Sequence, residues 1–182
     1  PAAWSASARG GGVHLVDAPG HPRLRGLGAS HAPSADALVF VVDAAQFLAG
    51  KSEAADQLVG LLAAGLGRKK GRRGRGGGGP PILLACNKAD LGGAAYSPDF
   101  IRKRLEREVE AGRGAAGGTL APPGEDGGDA AAASLALAPP GKPFTFDGLA
   151  SLGGGRLTAV ACAAGTGEVG AVEDWLRAEG LR

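Results

Sequence analysis

Three short runs of apolar residues constrain the fold of this chain most strongly. Each run is uninterrupted, whereas a strand with only one buried face would alternate apolar and polar residues. They span residues 37–42, 82–86 and 157–162, and the first two are followed by Asp43 and Asn87. Continuous apolar runs are typical of strands that are buried on both faces of a parallel sheet. Residues 13–16 are a further strand candidate.

Apolar residues at helical spacing lie between these strands. They predict helices over residues 52–62, from the capping residue Ser97 with Pro98 in the first turn, and over residues 169–178. Strands that alternate with helices predict an α/β fold with a doubly wound, mostly parallel sheet. The length of 182 residues suits one such domain.

Two stretches of biased composition interrupt the alternation. Residues 68–79 are basic and glycine-rich, and residues 112–141 are rich in glycine, alanine and proline. Both are predicted to be mobile loop insertions, because they carry too few apolar side chains to offset the entropy of ordering them. The net charge of +2 is too small to indicate a nucleic acid partner. Cys86 and Cys162 lie in apolar runs and are predicted to be buried thiols.

Ligand-binding side chains are expected beyond the carboxyl ends of the strands, where open α/β sheets bind ligands. Asp17, Asp43 and Asn87 would collect at that edge. Asp17 and Gly20 form a D-x-x-G pattern, in which the carboxylate can hold magnesium, directly or through water. The glycine lets a backbone N–H approach a terminal phosphate. By itself this pattern is usually just a turn.

An N-K-x-D sequence at the end of a buried strand is the stronger motif. Asp90 can accept hydrogen bonds from the ring N–H and the amine of guanine, Lys88 can lay its stem along the base, and Asn87 can brace neighbouring loops. The loop after the next strand has Ala163 and Ala164 where guanine-binding folds commonly have Ser-Ala-Lys. It keeps a backbone donor at Ala164 for the base oxygen. Together the motifs predict a guanine nucleotide site.

Residues 45–52 satisfy a loose phosphate-loop pattern, [AG]-x-x-x-x-G-K-[ST]. We predict that they do not bind phosphate, because they follow the D-x-x-G strand instead of preceding it. Phe47 and Leu48 would also place bulky side chains where backbone N–H groups should wrap the phosphate.

Several segments resemble the family of the beta subunit of the signal recognition particle receptor, small GTPases related to the ADP-ribosylation factors. The segments are VHLVDAPGHPRLRG, ADALVFVVDAAQFL, PILLACNKADL, GKPFTFDGLASL and VACAAGTGEVGAVEDWLRAEG. The resemblance implies a small-GTPase-like G domain that uses GTP and magnesium, with slow or partner-dependent hydrolysis. It also implies a subunit that holds the receptor's alpha subunit at the cytosolic face of the endoplasmic reticulum membrane, through an N-terminal helix, for co-translational protein targeting.

The resemblance assigns roles to residues by position. Asp17 would serve magnesium, Gly20 the terminal phosphate, and His21 the place of a water-orienting glutamine. The residues that would surround the guanine are Asn87, Lys88, Asp90, Ala163 and Ala164.

The chain departs from the family pattern in features that lie in the N-terminal part of family members. The membrane helix, phosphate loop, first helix and first switch threonine are not found in residues 1–182, which we therefore interpret as a partial, N-terminally incomplete G domain. The family's first strand is central, so without it two strand edges would be unpaired. This segment alone is expected to be unstable and to bind GTP poorly.

Two other interpretations fit part of the sequence. A translational-type GTPase fragment would also show DAPGH followed by NKAD. A pseudo-GTPase would keep the fold as a nucleotide-free interaction scaffold, and the altered loop at residues 162–165 favours it.

Overall fold

The computed structural model describes residues 3–8, 11–21, 24–66, 79–118, 136–139 and 141–181. Within them, β1 (Ala3–Ala8) and β2 (Gly11–Val16) pair antiparallel, and β3 (Leu38–Asp43), β4 (Ile82–Asn87) and β5 (Leu157–Ala161) form a parallel sheet in the order β3-β4-β5. The helices are α1 (Arg25–His31), α2 (Phe47–Leu66), α3 (Pro98–Gly118) and α4 (Gly170–Ala178). The predicted α/β class is confirmed, and α2 is longer at both ends than its apolar spacing indicated.

The central strand β4 is buried along almost its whole length, as its continuous apolar sequence predicted. On one face, Leu84 packs in a core with α2 and α3, to which α3 contributes Ile101, Leu105 and Val109. Leu83 and Ala85 point to the opposite face, because side chains alternate along a strand. They are also buried, and α4, which carries the buried Trp175, packs against β4 and β5. The sheet is therefore covered on both faces at β4.

The cap predicted for α3 is present. The backbone N–H of Phe100 donates to the Ser97 hydroxyl at 3.3 Å, and Pro98 begins the helix. This satisfies one of the N–H groups that the first turn of a helix leaves without an intrahelical partner.

Strand β3 lies at the edge of the parallel sheet among the described residues, and there it pairs with β4 alone. Val39 and Val41 share a face with the buried Leu83 and Ala85, yet they are 41% and 59% exposed. The described part of β2 pairs only with β1. Among the described residues, β2 and β3 therefore each have an edge that pairs with no other strand, and β3 exposes two apolar side chains.

Four side chains of α3 bind the segment that leads towards β5, and we call them the α3 ladder: Arg102, Glu106, Glu110 and Arg113. Arg102 pairs with Asp147 at 2.6 Å. The carboxylates of Glu106 and Glu110 accept the backbone N–H groups of Phe146 and Phe144, at 2.9 and 2.7 Å. The helix thereby satisfies backbone groups that no strand pairs.

The prediction of a mobile loop over residues 112–141 is wrong at both ends of that range. Helix α3 continues to Gly118, and Leu137 and Ala138 are buried. The buried Arg113 explains why Leu137 and Ala138 are buried and not in a loose loop. Its guanidinium donates to the carbonyls of Ala138 and Lys142, both at 3.3 Å. Residues 119–135 and 140 lie outside the described residues, as does the other predicted insertion apart from Gly79.

Both cysteines are buried free thiols, as predicted. Burial raises the pKa of the Cys86 thiol to about 12, with a smaller contribution from Cys162. A thiol that stays protonated at neutral pH is a poor nucleophile and metal ligand.

In the part of the chain that the structure describes, no helix is both long enough and apolar enough to span a lipid bilayer.

The edge position of β3 predicts the behaviour of the isolated 182-residue chain. We expect it to self-associate, because an unpaired apolar edge strand is a template for pairing with another chain, and a lysine there suppresses such pairing. Val41→Lys should therefore shift the chain towards the monomer in analytical ultracentrifugation. Val42→Lys, on the buried face of the same strand, should instead reduce helical circular dichroism. An unchanged sedimentation profile for Val41→Lys would contradict the expectation.

The α3 ladder predicts that Glu110→Ala destabilises the fold. The substitution removes the acceptor of the Phe144 N–H and the carboxylate that pairs with the buried Arg113 at 2.6 Å. We expect a loss of about 2 kcal/mol in urea unfolding of the full-length polypeptide. Glu110→Gln keeps an acceptor oxygen and should cost less. Equal losses for the two variants would show that the Phe144 hydrogen bond contributes nothing.

Candidate functional site

The turns that follow β3, β4 and β5 meet at one edge of the sheet. Asp43 and Asn87 are partners in the parallel register of β3 and β4. The N–H of Ala44 donates to the carbonyl of Asn87 at 2.8 Å, and the N–H of Ala89 donates to the carbonyl of Cys162 at 3.0 Å. Each turn is therefore bonded to the next by backbone groups at the point where the strand ends.

Asn87 joins the β4 turn to the β5 turn through its side chain. Its Oδ1 accepts the N–H of Ala164 at 2.9 Å, so the bracing bond predicted for this asparagine is present. The loop is also closed on itself, because Ala163 and Glu168 exchange backbone hydrogen bonds at 2.9 Å. The Ala164 donor that we expected to face a base oxygen is directed at Asn87 in this structure.

Lys88 joins the β4 turn to the β3 turn. It has a φ of 68°, in the left-handed region that non-glycine residues seldom adopt. Its Nζ donates to Oδ2 of Asp43 at 2.6 Å. The other oxygen of Asp43 accepts the backbone N–H groups of Ala45 and Gln46, at 2.9 and 3.1 Å.

The hydrogen bond from Lys88 lowers the pKa of the Asp43 carboxyl, and the N–H groups of Gln46 and Ala45 act in the same direction against partial burial. A carboxyl whose pKa is lower in the folded state stabilises the fold at pH values above its ordinary range. That contribution is lost only as the pH falls through the lowered value. The pair is therefore intact at neutral pH.

Asp90 lies next to these turns, in a 3-10 helix over Ala89–Ala94 that begins directly after Lys88. The residue is exposed. An exposed carboxylate beside a fixed loop can accept two hydrogen bonds from a flat ligand that presents two adjacent donors. The ring N–H and the amine of guanine form such a pair of donors.

Asp17, Gly20 and His21 are exposed in the loop after β2. The hydrogen bonds between turns join those after β3, β4 and β5. Strand β2, which leads to Asp17, pairs with β1 in a separate sheet. The candidates in the turns after β4 and β5 are thus bonded to one another, and the expectation that Asp17 joins Asp43 and Asn87 stays a prediction.

The interpretation of residues 45–52 agrees with the structure. Phe47 is buried and begins α2, so Gly50 and the residues after it are helical. Lys51 pairs with Glu108 at 2.9 Å, and the Ser52 hydroxyl donates to the same carboxylate at 3.1 Å. These side chains hold α2 against α3 and do not form a phosphate loop.

Sequence reasoning placed Asp43 at this edge of the sheet but gave it no role in binding. Its position after a buried strand was recognised, but nothing in the sequence indicates that it pairs with Lys88, because the two are 45 residues apart. The register of β3 on β4 creates this contact.

Comparisons with known proteins match most of the chain. The family profile described as "Signal recognition particle receptor beta subunit" matches residues 2–151. The human signal recognition particle receptor subunit beta is 34% identical over 179 residues, which cover 92% of this chain. The chain spans 59% of the length of that human protein.

Solved structures of related proteins share the fold of this chain. A chain of the mammalian SRP receptor has a TM-score of 0.72 and 28% identity, covering 97% of this chain and 82% of its own. The receptor protein SRb from Chaetomium thermophilum, solved with GDP, has a TM-score of 0.61 and 22% identity, covering 90% and 78%. Its SRb-GTP/SRX complex has a TM-score of 0.65 and 22% identity, covering 91% and 66%. The chain belongs to the family of the signal recognition particle receptor beta subunit.

Proposed function

We propose that this chain is the guanine-reading part of a GTP-binding receptor subunit, which anchors the alpha subunit of the signal recognition particle receptor at the endoplasmic reticulum. The observation that carries the proposal is the bonded set of turns at the edge of the parallel sheet. There Asn87 braces the Ala164 loop while Lys88 and Asp90 remain accessible. Family membership favours this function over a translational GTPase fragment.

Guanine would be recognised by three side chains of one turn. Asp90 accepts the ring N–H and the amine, which adenine does not offer in this pattern. The aliphatic stem of Lys88 covers one face of the base. Asn87 holds the loop of Ala163 and Ala164 at the base edge, through the 2.9 Å bond to Ala164.

Magnesium and phosphate would be served by the loop after β2. No group of three or more His, Cys, Asp or Glu side chains that could hold a metal occurs among the described residues. The exposed Asp17 nevertheless fits, because magnesium in nucleotide sites is held by one or two carboxylates together with phosphates and water. When bound, the metal would neutralise charge on the phosphates. Gly20 is exposed in the same loop, and we propose that its N–H approaches the terminal phosphate.

Hydrolysis would be slow or dependent on a partner. His21, exposed in the same loop, is the residue that we propose orients water. Charge stabilisation in phosphoryl transfer needs a phosphate-loop lysine and magnesium ligands as well, so His21 alone would not make hydrolysis fast.

The proposed partner and location follow from relatives. One related structure is that of the mammalian SRP receptor, and another is an SRb-GTP/SRX complex. We propose the corresponding assembly for this chain: a receptor alpha subunit as protein partner, and the cytosolic face of the endoplasmic reticulum membrane as location, through an N-terminal helix.

A nucleotide-free scaffold is the second candidate. The observation in its favour is that Asn87 takes the N–H of Ala164, the donor expected for the base oxygen. A scaffold would keep the turns closed in this way and bind its partner without nucleotide.

Calorimetry with GTP and ATP separates the two candidates. On the full-length polypeptide, including any residues before Pro1, we expect heat of binding with GTP. The affinity for ATP should be lower than that for GTP by a factor of about 10⁴ or more, because adenine would leave Asp90 without hydrogen-bond donors. Absence of heat with both nucleotides would support the scaffold.

Asp90→Asn tests the residue that reads the base. An amide in place of the carboxylate loses the acceptor for one of the two guanine donors, so GTP affinity should fall at least about tenfold. Xanthosine triphosphate, whose ring carbonyl replaces the amine, should gain affinity because the amide can donate to it. Asp99→Asn, the same change at an exposed position in the first turn of α3, is the control and should alter neither affinity. Loss of GTP binding without gain for the xanthine nucleotide would contradict the assigned role.

A further inference from the structure

Asp43 makes contacts that a capping residue alone does not require. One oxygen accepts the N–H groups of Ala45 and Gln46 and thereby closes the turn between β3 and α2. This capping role uses only Oδ1. The second oxygen, Oδ2, is directed at the next turn and binds the ammonium of Lys88 at 2.6 Å.

The direction of the Lys88 side chain depends on this bond. The backbone of Lys88 is in the left-handed region, and its side chain is 48% exposed. A half-exposed lysine has many rotamers of similar free energy, and ordering them costs entropy. The Asp43 carboxylate selects the rotamers that point from the β4 turn towards the end of β3.

The capped carboxylate is itself well fixed. Its two backbone hydrogen bonds hold the Asp43 side chain, and the Asp43–Asn87 register holds its backbone beside the Lys88 turn. Asp43 is thus held by more bonds than the half-exposed Lys88 side chain, and its position determines where the ammonium lies. Arg102 and Asp147 form another ion pair at 2.6 Å, but it joins α3 to the segment before β5 and does not join two of these turns.

We propose that Asp43 is a positioning residue for guanine binding, which orders Lys88 before the nucleotide arrives. The proposal rests on the proposed function, because it concerns the same site. With Asp43 in place, the entropy of ordering the lysine stem is already lost in the free protein. Without it, that entropy is lost on binding, and the affinity for the base is reduced.

The test is a double-mutant cycle on the full-length polypeptide, with GDP titrated by calorimetry. Asp43→Asn keeps an acceptor for Ala45 and Gln46 but loses the charge that attracts Lys88. We expect GDP affinity to fall about three- to fivefold, the range expected for a partly exposed ion pair. Lys88→Met keeps an unbranched stem and loses the ammonium. In that background Asp43→Asn should have no further effect.

Two readouts separate positioning from a structural role. The melting temperature of Asp43→Asn should fall only slightly, because the turn keeps its cap and an exposed ion pair contributes little to stability. The difference in GDP affinity should shrink between about 0.1 M and about 1 M salt, because the ion pair is partly exposed and is screened. Asp147→Asn, which removes the charge from another 2.6 Å ion pair outside the site, should leave GDP affinity unchanged.

Each contrary result has a distinct meaning. If the wild type binds no guanine nucleotide, the proposed function fails. If the wild type binds GDP and Asp43→Asn binds it equally well or more tightly, only the positioning role is overturned. An equal loss for Asp43→Asn with and without Lys88→Met would also overturn it, because Asp43 would then act independently of the lysine.

Discussion

The parallel register of β3, β4 and β5 is the constraint on which the rest of the structure depends. It places Asp43 beside Asn87, and it places the end of β4 beside Cys162 and the loop that follows β5. Parallel strands need long crossover connections, so residues distant in the chain become neighbours only through this register. A shift of one residue would exchange the two faces of β4, so that Leu83 would replace Leu84 in the core with α2 and α3.

Polar side chains then form hydrogen bonds between turns that apolar packing has brought together. Asn87 bonds the turn on one side, through Ala164, and Lys88 bonds the turn on the other side, through Asp43. Both bonds lie at the surface, where each contributes modestly to stability. Their effect is to restrict the positions of loops, and a binding site benefits because less ordering remains to be done when a ligand binds.

Sequence patterns predicted the parts of this fold that depend on local chemistry and continuous burial. The apolar runs gave β3, β4 and β5 within a residue of their ends, and Ser97 with Pro98 gave the start of α3. They did not give the end of α3 or the burial of Leu137. Those features depend on Arg113 and the carboxylates of the α3 ladder, which contact residues 25 to 40 positions away. Such side-chain contacts leave no periodic signal in a sequence.

In the candidate site, too, some positions could be predicted from local sequence patterns and others could not. The N-K-x-D motif follows a strand whose end is fixed by burial, so the sequence could place Asn87, Lys88 and Asp90 at one edge of the sheet. The position of Asp17 relative to that edge could not be predicted equally well, since among the described residues β2 pairs with β1 in a separate sheet. If guanine is read as proposed, base recognition depends on strands that already pair with one another, whereas phosphate recognition depends on a loop outside the parallel sheet. On the proposed function, specificity for guanine is built into the parallel sheet, and sensitivity to the terminal phosphate resides in the part of the fold that is less constrained.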